Sequence, residues 1–193
     1  MHEPARVCVG GLSYKTAPVE LREHVALCRE DAVETASALR REPGVNEALG
    51  LSTCNRTELY LVTDRVRAGR RAVVAQLAET AGAARSDIER GLFWLTGDAA
   101  VAHIFRVTSG LDSLVVGESQ IVAQVKVAYR DAREAGLTGA VLNRLFAHAL
   151  SVGKRVRAET SLGSRSVSVS RAAVELARRR IGDLGATCAL IIG

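Results

Sequence analysis

"LSTCNRTELYL", residues 51–61, carries a lone cysteine where an apolar, strand-like run is interrupted by polar residues. Leu49 and Leu51 stand before the interruption; Leu59, Tyr60, Leu61 and Val62 follow it. The pattern predicts two strands joined through a connection that contains Cys54. Upstream, "ARVCVGGLS" reads as a strand ending at Gly10-Gly11, and "EPGV" as a breaker. Between them, "PVELREHVALCRE" and "DAVETASALRRE" read as helical segments, the second with Ala32, Val33, Ala36 and Leu39 at helical spacing. After "ELYLVTD", the run "AGRRAVVAQLAETAG" places Val73, Val74, Leu77 and Ala81 on one helix side, and "GLFWLTG" supplies a short fourth strand. The order β-α-β-β-α-β is the split βαβ arrangement of ferredoxin-like domains. It predicts an α+β fold with helices on one face of an antiparallel sheet.

From Asp98 the pattern turns helical, with Asp98 as the expected N-cap of "DAAVAHIFRVTSGL". "ESQIVAQVKVAYRDAREAG" puts Ile121, Val122, Val125, Ala128, Tyr129 and Ala132 on one stripe and stops at Gly136. "AVLNRLFAHALSVGKRVRAET" repeats the theme with Leu142, Leu145, Phe146, Ala149, Leu150, Gly153 and Val156. A Ser-rich break, "SLGSRSVSVS", precedes the helical "RAAVELARRRI". The closing "GATCALIIG" has the pattern of a buried parallel strand ending in Gly193, as a dinucleotide-binding βαβ unit begins. A terminal apolar strand without a neighbour predicts a chain cut from a longer protein. The expected parts are residues 1–97 with the cysteine turn, a helical part 98–160, and a linker helix plus first strand of a truncated cofactor domain over 161–193.

The composition, 48% hydrophobic and 24% charged, is that of a soluble globular protein. No apolar run approaches the ~20 residues that span a bilayer, and the N-terminus lacks the features of a secretory signal. A cytoplasmic location and no membrane partner are therefore expected. The net charge of +5 is uneven: residues 118–183 hold twelve Lys or Arg against six Asp or Glu. That excess fits a polyanionic partner such as RNA, and equally a set of solvated helix faces. The four cysteines form no Cys-x-x-Cys pair, which excludes a zinc ribbon or thioredoxin-type motif. His24 and Cys28 are spaced to share a helix face, but two ligands without partners make no metal site.

Three places could carry chemistry. Cys54 is either a nucleophile, its thiolate favoured by Arg56 two residues on, or a half-buried cysteine beside a surface arginine. Cys8 and Cys188, within apolar runs, read as core. His103 is either an interior helix residue or a general acid or base near the thiol; His148 reads as packing. The stretch "SGLDSLVVGESQIVAQ", residues 109–124, crowds Asp112, Ser113, Glu118, Ser119, Gln120 and Gln124 around an apolar centre. It is either a substrate-orienting segment or a turn followed by a helix start.

Taken together, in order and spacing, "GLSYKTAPVELRE", "STCNRTELY", "HIFRVTSGLDSLVVGESQIVAQVKVAY", "SVGKRVRAET" and "SVSVS" resemble the glutamyl-tRNA reductase family over essentially the whole chain. The resemblance implies NADPH-dependent reduction of glutamyl-tRNA(Glu) to glutamate-1-semialdehyde through a cysteinyl thioester, the first step of 5-aminolevulinate and tetrapyrrole (porphyrin) synthesis by the C5 pathway. It makes Cys54 the nucleophile and His103 the activity-related histidine. Arg56 becomes the recogniser of the substrate carboxylate, with Thr53 and Asn55 in the same turn. Ser113, Glu118, Ser119, Gln120 and Gln124 become substrate-site residues, and Gly193 the first glycine of the NADPH motif. It also implies a homodimer, possible channelling to glutamate-1-semialdehyde aminomutase, and no metal. Tyr14 and Ser119 depart from the histidine and proline common in the family. Two other readings share the same residues: a silent tRNA-binding or regulatory paralogue, and a reductase feeding aminolevulinate into a natural product.

Overall fold

The computed structural model describes residues 4–118, 120–164, 169–185, 187, 188 and 190. Its centre is the hairpin of β2 (Val45–Thr53) and β3 (Arg56–Thr63), joined through Cys54 and Asn55. Thr53 pairs with Arg56, so the connection is two residues long. No described non-glycine residue has a positive φ, which excludes the mirror-image turns that Asn-Gly pairs favour. β1 (Arg6–Ser13) pairs antiparallel with the other side of β3, and β4 (Phe93–Thr96) with β1. The sheet order is β2-β3-β1-β4. This is the α+β, split βαβ topology that the pattern predicts.

β1 does not end at Gly10-Gly11; both glycines lie inside it, opposite Leu59 and Glu58. A Cβ at Gly11 would lie 2.2 Å from the carbonyl oxygen of Thr57, so glycine is there for close backbone approach and not for a turn.

The helices between the strands pack on one face. They are α1 (Val19–His24) and α2 (Arg29–Arg41) before β2, then α3 (Val66–Ala81) and α4 (Arg85–Gly91) before β4. Gly69 of α3, for example, sits against Leu61 and Thr63. The opposite face is covered by α5 (Asp98–Thr108), α6 (Gln120–Glu134) and α7 (Ala140–Glu159). Tyr60 meets Phe146 of α7 edge-on at 5.2 Å, and Phe146 stacks on Tyr129 of α6 at 5.7 Å. Each such pair adds about 1 kcal/mol beyond its area. With both faces covered, every residue of β3 is buried, its polar ones included.

Four local expectations are corrected. The segment read as helical through Cys28 stops at His24; Cys28 is extended and caps α2, its Sγ accepting from the Asp31 N–H at 3.4 Å. His24 and Cys28 therefore share no helix face. Gly97, not Asp98, occupies the N-cap of α5, and Asp98 begins the helix, where the positive helix end favours its charge. Cys188 is exposed rather than core, as is Leu190: neither has a strand neighbour among the described residues to bury it. α4 had no sequence-based expectation. After α8 (Ser161–Ser164), α9 (Val169–Ile181) forms as the pattern predicts, while Gly193 and Ser119 lie outside the described residues.

Candidate active site

Cys54 is exposed at the hairpin tip. Its surroundings hold the turn rather than the sulfur. Arg22 Nη1 of α1 donates to the Cys54 carbonyl at 2.9 Å, and the Tyr14 N–H donates to the Asn55 carbonyl at 2.9 Å. The Asn55 N–H is taken by Thr53 Oγ1 at 3.2 Å. Ties from β1's end and from α1 thus fix a backbone that would otherwise be the least constrained part of the hairpin.

Side chains alternate along a strand. Arg56, Glu58 and Tyr60 consequently project together into the layer between the sheet and α5–α7. The sequence reading sets the Arg56 charge beside the thiol; the structure turns the guanidinium inward, 2% exposed. Its Nη1 donates to Glu58 Oε1 at 2.6 Å, and its Nη2 to Asp112 Oδ2 at 3.1 Å and to the Asp112 carbonyl. Lys15 Nζ holds the other Asp112 oxygen. Tyr60 donates its hydroxyl to Glu58 Oε2 at 2.6 Å, and His103 Nε2 lies 2.9 Å from Glu58 Oε1.

Burial alone would push the Glu58 carboxyl up. The His103 hydrogen bond, the Arg56 charge and the Tyr60 hydroxyl reverse this and hold it below the usual carboxylate range. Asp112 is likewise lowered against its burial, by Lys15 and Arg56. Burial would also release the Arg56 proton, but Glu58 and Asp112 hold it more firmly still. The Tyr60 phenol is pushed well up by burial and by the Glu58 charge, so it stays a donor. Since Glu58 is a carboxylate, His103 bonds it through an Nε2 that bears hydrogen, which leaves Nδ1 as the ring nitrogen not used by Glu58. Phe93, with ring centroid 5.1 Å away, packs against that imidazole.

The other expected site residues are spread out. Ser113 is buried beside this cluster, its carbonyl accepting from Tyr14 Oη at 3.4 Å. Glu118 is half-buried, with Arg157 Nη1 on its carbonyl at 3.1 Å. Gln120 is exposed at the start of α6. Gln124 lines a cleft of about 270 Å³ where α6 meets α2 at the sheet edge, with Ser52 and Cys28. Thr53, Cys54, Asn55, Arg56, His103 and Ser113 thus belong to one neighbourhood, and Gln124 to the next. Sequence reasoning passed over Glu58, Tyr60 and Lys15. A period-two signal was available: Arg56, Glu58 and Tyr60 put polar groups on a single face of a strand otherwise made to be buried.

Among the described residues, no group of three or more His, Cys, Asp or Glu could hold a metal ion, and no helix is long and apolar enough to cross a membrane. The chemistry on hand is an exposed thiol at the hairpin tip and, on the strand that follows, a rigid, charge-paired cluster of an imidazole, a carboxylate and a guanidinium fork.

A family model described as the N-terminal domain of glutamyl-tRNAGlu reductase matches residues 10–160. Among curated proteins, the glutamyl-tRNA reductase of Rubrobacter xylanophilus is 49% identical over 97% of this chain and 43% of its own length. That of Bacillus subtilis is 42% identical over 97% of this chain and 41% of its own. The solved glutamyl-tRNA reductase from Methanopyrus kandleri superposes with a TM-score of 0.69 at 32% identity, covering 93% of this chain and 40% of that one. The chain spans about two-fifths of the length of these relatives. On its sequence, its sheet and its cysteine hairpin, it belongs to the glutamyl-tRNA reductase family.

Proposed function

We propose that this chain carries the acyl-transfer half of an NADPH-dependent reduction of glutamyl-tRNA(Glu) to glutamate-1-semialdehyde, the entry to tetrapyrrole synthesis. The observation that supports it most is Cys54: a free, exposed thiol on a two-residue turn whose next strand residues build the Arg56–Glu58–His103 wall. In this reading residues 1–97 carry the nucleophile, 98–160 form the wall over it, and 161–193 lead towards the cofactor domain.

The Cys54 thiolate attacks the ester carbonyl carbon that joins glutamate to the terminal ribose. The C–O bond to the ribose breaks, the tRNA leaves with its hydroxyl restored, and the glutamyl group remains as a thioester. A thioester accepts hydride more readily than an oxygen ester, which is the reason to pass through sulfur. In this reading His103, its orientation fixed by Glu58, takes the thiol proton and returns it to the leaving ribose oxygen. Arg56 receives the substrate carboxylate. NADPH would supply the hydride, but the described residues do not fit it: the sheet is wholly antiparallel, without the βαβ phosphate turn. The chemistry of these residues ends at the thioester. The exposed arginines closing α9, Arg178, Arg179 and Arg180, support contact with the tRNA backbone.

Mass spectrometry of the Cys54 peptide after exposure to glutamyl-tRNA tests the proposal, with Cys54→Ser as control. One added glutamyl group on Cys54, absent in the control, is the expected result. Binding of tRNA without acylation would favour a silent RNA-binding paralogue, and label on Cys8, Cys28 or Cys188 would move the nucleophile.

A further inference from the structure

The segment that carries Asp112 is built the wrong way round for an ordinary loop. It leaves α5 at Gly110 (φ 73°) and returns towards α6 at Gly117 (φ 88°), its neck closed by the Gly117 N–H on the Gly110 carbonyl at 3.0 Å. Both positions need the left-handed backbone that glycine adopts without cost. Between them Leu114 and Val116 are 58% and 55% exposed, while the acid, Asp112, is buried. Apolar packing therefore does little to hold the segment down. What holds it is Asp112, its carboxylate on Arg56 and Lys15 and its carbonyl on the same Arg56 Nη2, helped by the Tyr14 hydroxyl on the Ser113 carbonyl; a displacing carboxylate must take over both acceptor places on Nη2.

Arg56 is almost sealed from water and has two carboxylate partners. Glu58 is its neighbour on the same strand and is fixed there by His103 and Tyr60. Asp112 comes from outside the sheet, on the segment between Gly110 and Gly117. An aminoacyl ester has lost its α-carboxylate to the ester bond, so the one free carboxylate of a glutamyl ester is on its side chain.

We infer that Asp112 is an internal stand-in for that side-chain carboxylate: the substrate takes its place on Arg56 Nη2 while residues 110–117 swing away about the two glycines. This rests on the proposed function above and adds a source of specificity. Exchanging one carboxylate for another leaves the buried guanidinium paired. A glutaminyl group offers only an amide, which would strand the cation with a weaker partner, so Asp112 stays in place.

Two measurements test this. The first is the rate of Cys54 acylation against aminoacyl-tRNA concentration. Asp112→Asn, which keeps the shape and removes the charge, is expected to lower the half-saturating glutamyl-tRNA concentration by roughly tenfold. It should also narrow the preference over glutaminyl-tRNA. A half-saturating concentration that rises or stays unchanged overturns the inference. The second is hydrogen exchange in the Cys54→Ser protein, which cannot be acylated on that sulfur. Saturation with glutamate α-methyl ester should speed exchange across residues 110–117, the Gly117 N–H above all, whereas glutamine methyl ester should not. Equal protection with both esters overturns it, whether or not Asp112→Asn folds. If the parent protein fails to acylate Cys54, the functional reading falls, and the exchange experiment still decides the role of Asp112.

Discussion

A single carboxylate, Glu58, connects three side chains and fixes their positions relative to one another. It accepts from Arg56, Tyr60 and His103, and no part of it touches water. Removing one partner of a buried, hydrogen-bonded pair leaves the other charge uncompensated, at a cost of about 3 kcal/mol. Glu58→Gln should destabilise the protein by that order in urea unfolding at neutral pH. The same residue shapes the acid limb. Glu58 and Asp112 both hold their protons less tightly when folded than in the unfolded chain. Their stabilisation is therefore complete above the ordinary carboxyl range, near pH ~4, and drains away as pH falls through their lowered folded values. Midpoints measured from pH 7 down to pH 3 should fall less steeply at the acid end in Glu58→Gln than in the parent. Parallel curves would show that Glu58 is not a main contributor. None of this was legible at residue scale. The cysteine, histidine and arginine stood out by chemical type, but the pairing of Arg56 with Asp112, fifty-six positions away, depends on a fold that brings the segment after α5 back to β3.

At the scale of elements, the two faces of the sheet are joined through β2. A register irregularity between Val45 and Glu47 turns the Glu47 side chain to the start of α7 (Ala140–Glu159). There its oxygens accept from the N–H groups of Gly139, Val141 and Leu142 at 2.8, 3.0 and 2.7 Å. The N-cap of α7 makes no side-chain hydrogen bond, so a strand residue 92 positions before Gly139 does the work of a cap. Glu47→Ala should cost about 2 kcal/mol, measured by denaturant unfolding, with Glu47→Gln between it and the parent. Strands and helices as such were readable, because period two and period 3.6 are local signals and each helix stripe fell on buried residues such as Val125 and Phe146. Helix ends were read less well. Cys28 caps through its sulfur and Gly97 through its backbone alone, and neither residue type announced a cap.

For the whole molecule, the division of labour follows from the sheet. Four antiparallel strands, covered by α1–α4 on one face and α5–α7 on the other, leave the β2–β3 hairpin tip with Cys54 exposed, where the acyl transfer proposed above would take place. The pattern after α9 predicts a parallel strand opening a second, cofactor-binding unit; Cys188 and Leu190, the part of it that the structure describes, are solvent-exposed and outside any strand. A strand of that kind is stable only when parallel neighbours supply its hydrogen bonds and cover its faces, and none is found among the described residues. Hydride transfer to the Cys54 thioester requires a bound dinucleotide within reach of the hairpin, and nothing in the described sheet cradles one. The 193-residue chain, incubated with glutamyl-tRNA and NADPH, should therefore form the thioester and hydrolyse it slowly to glutamate, with no semialdehyde above background. Stoichiometric NADPH oxidation matched by semialdehyde would mean that these residues hold the cofactor themselves. The separation of acyl transfer from reduction proposed here would then be wrong.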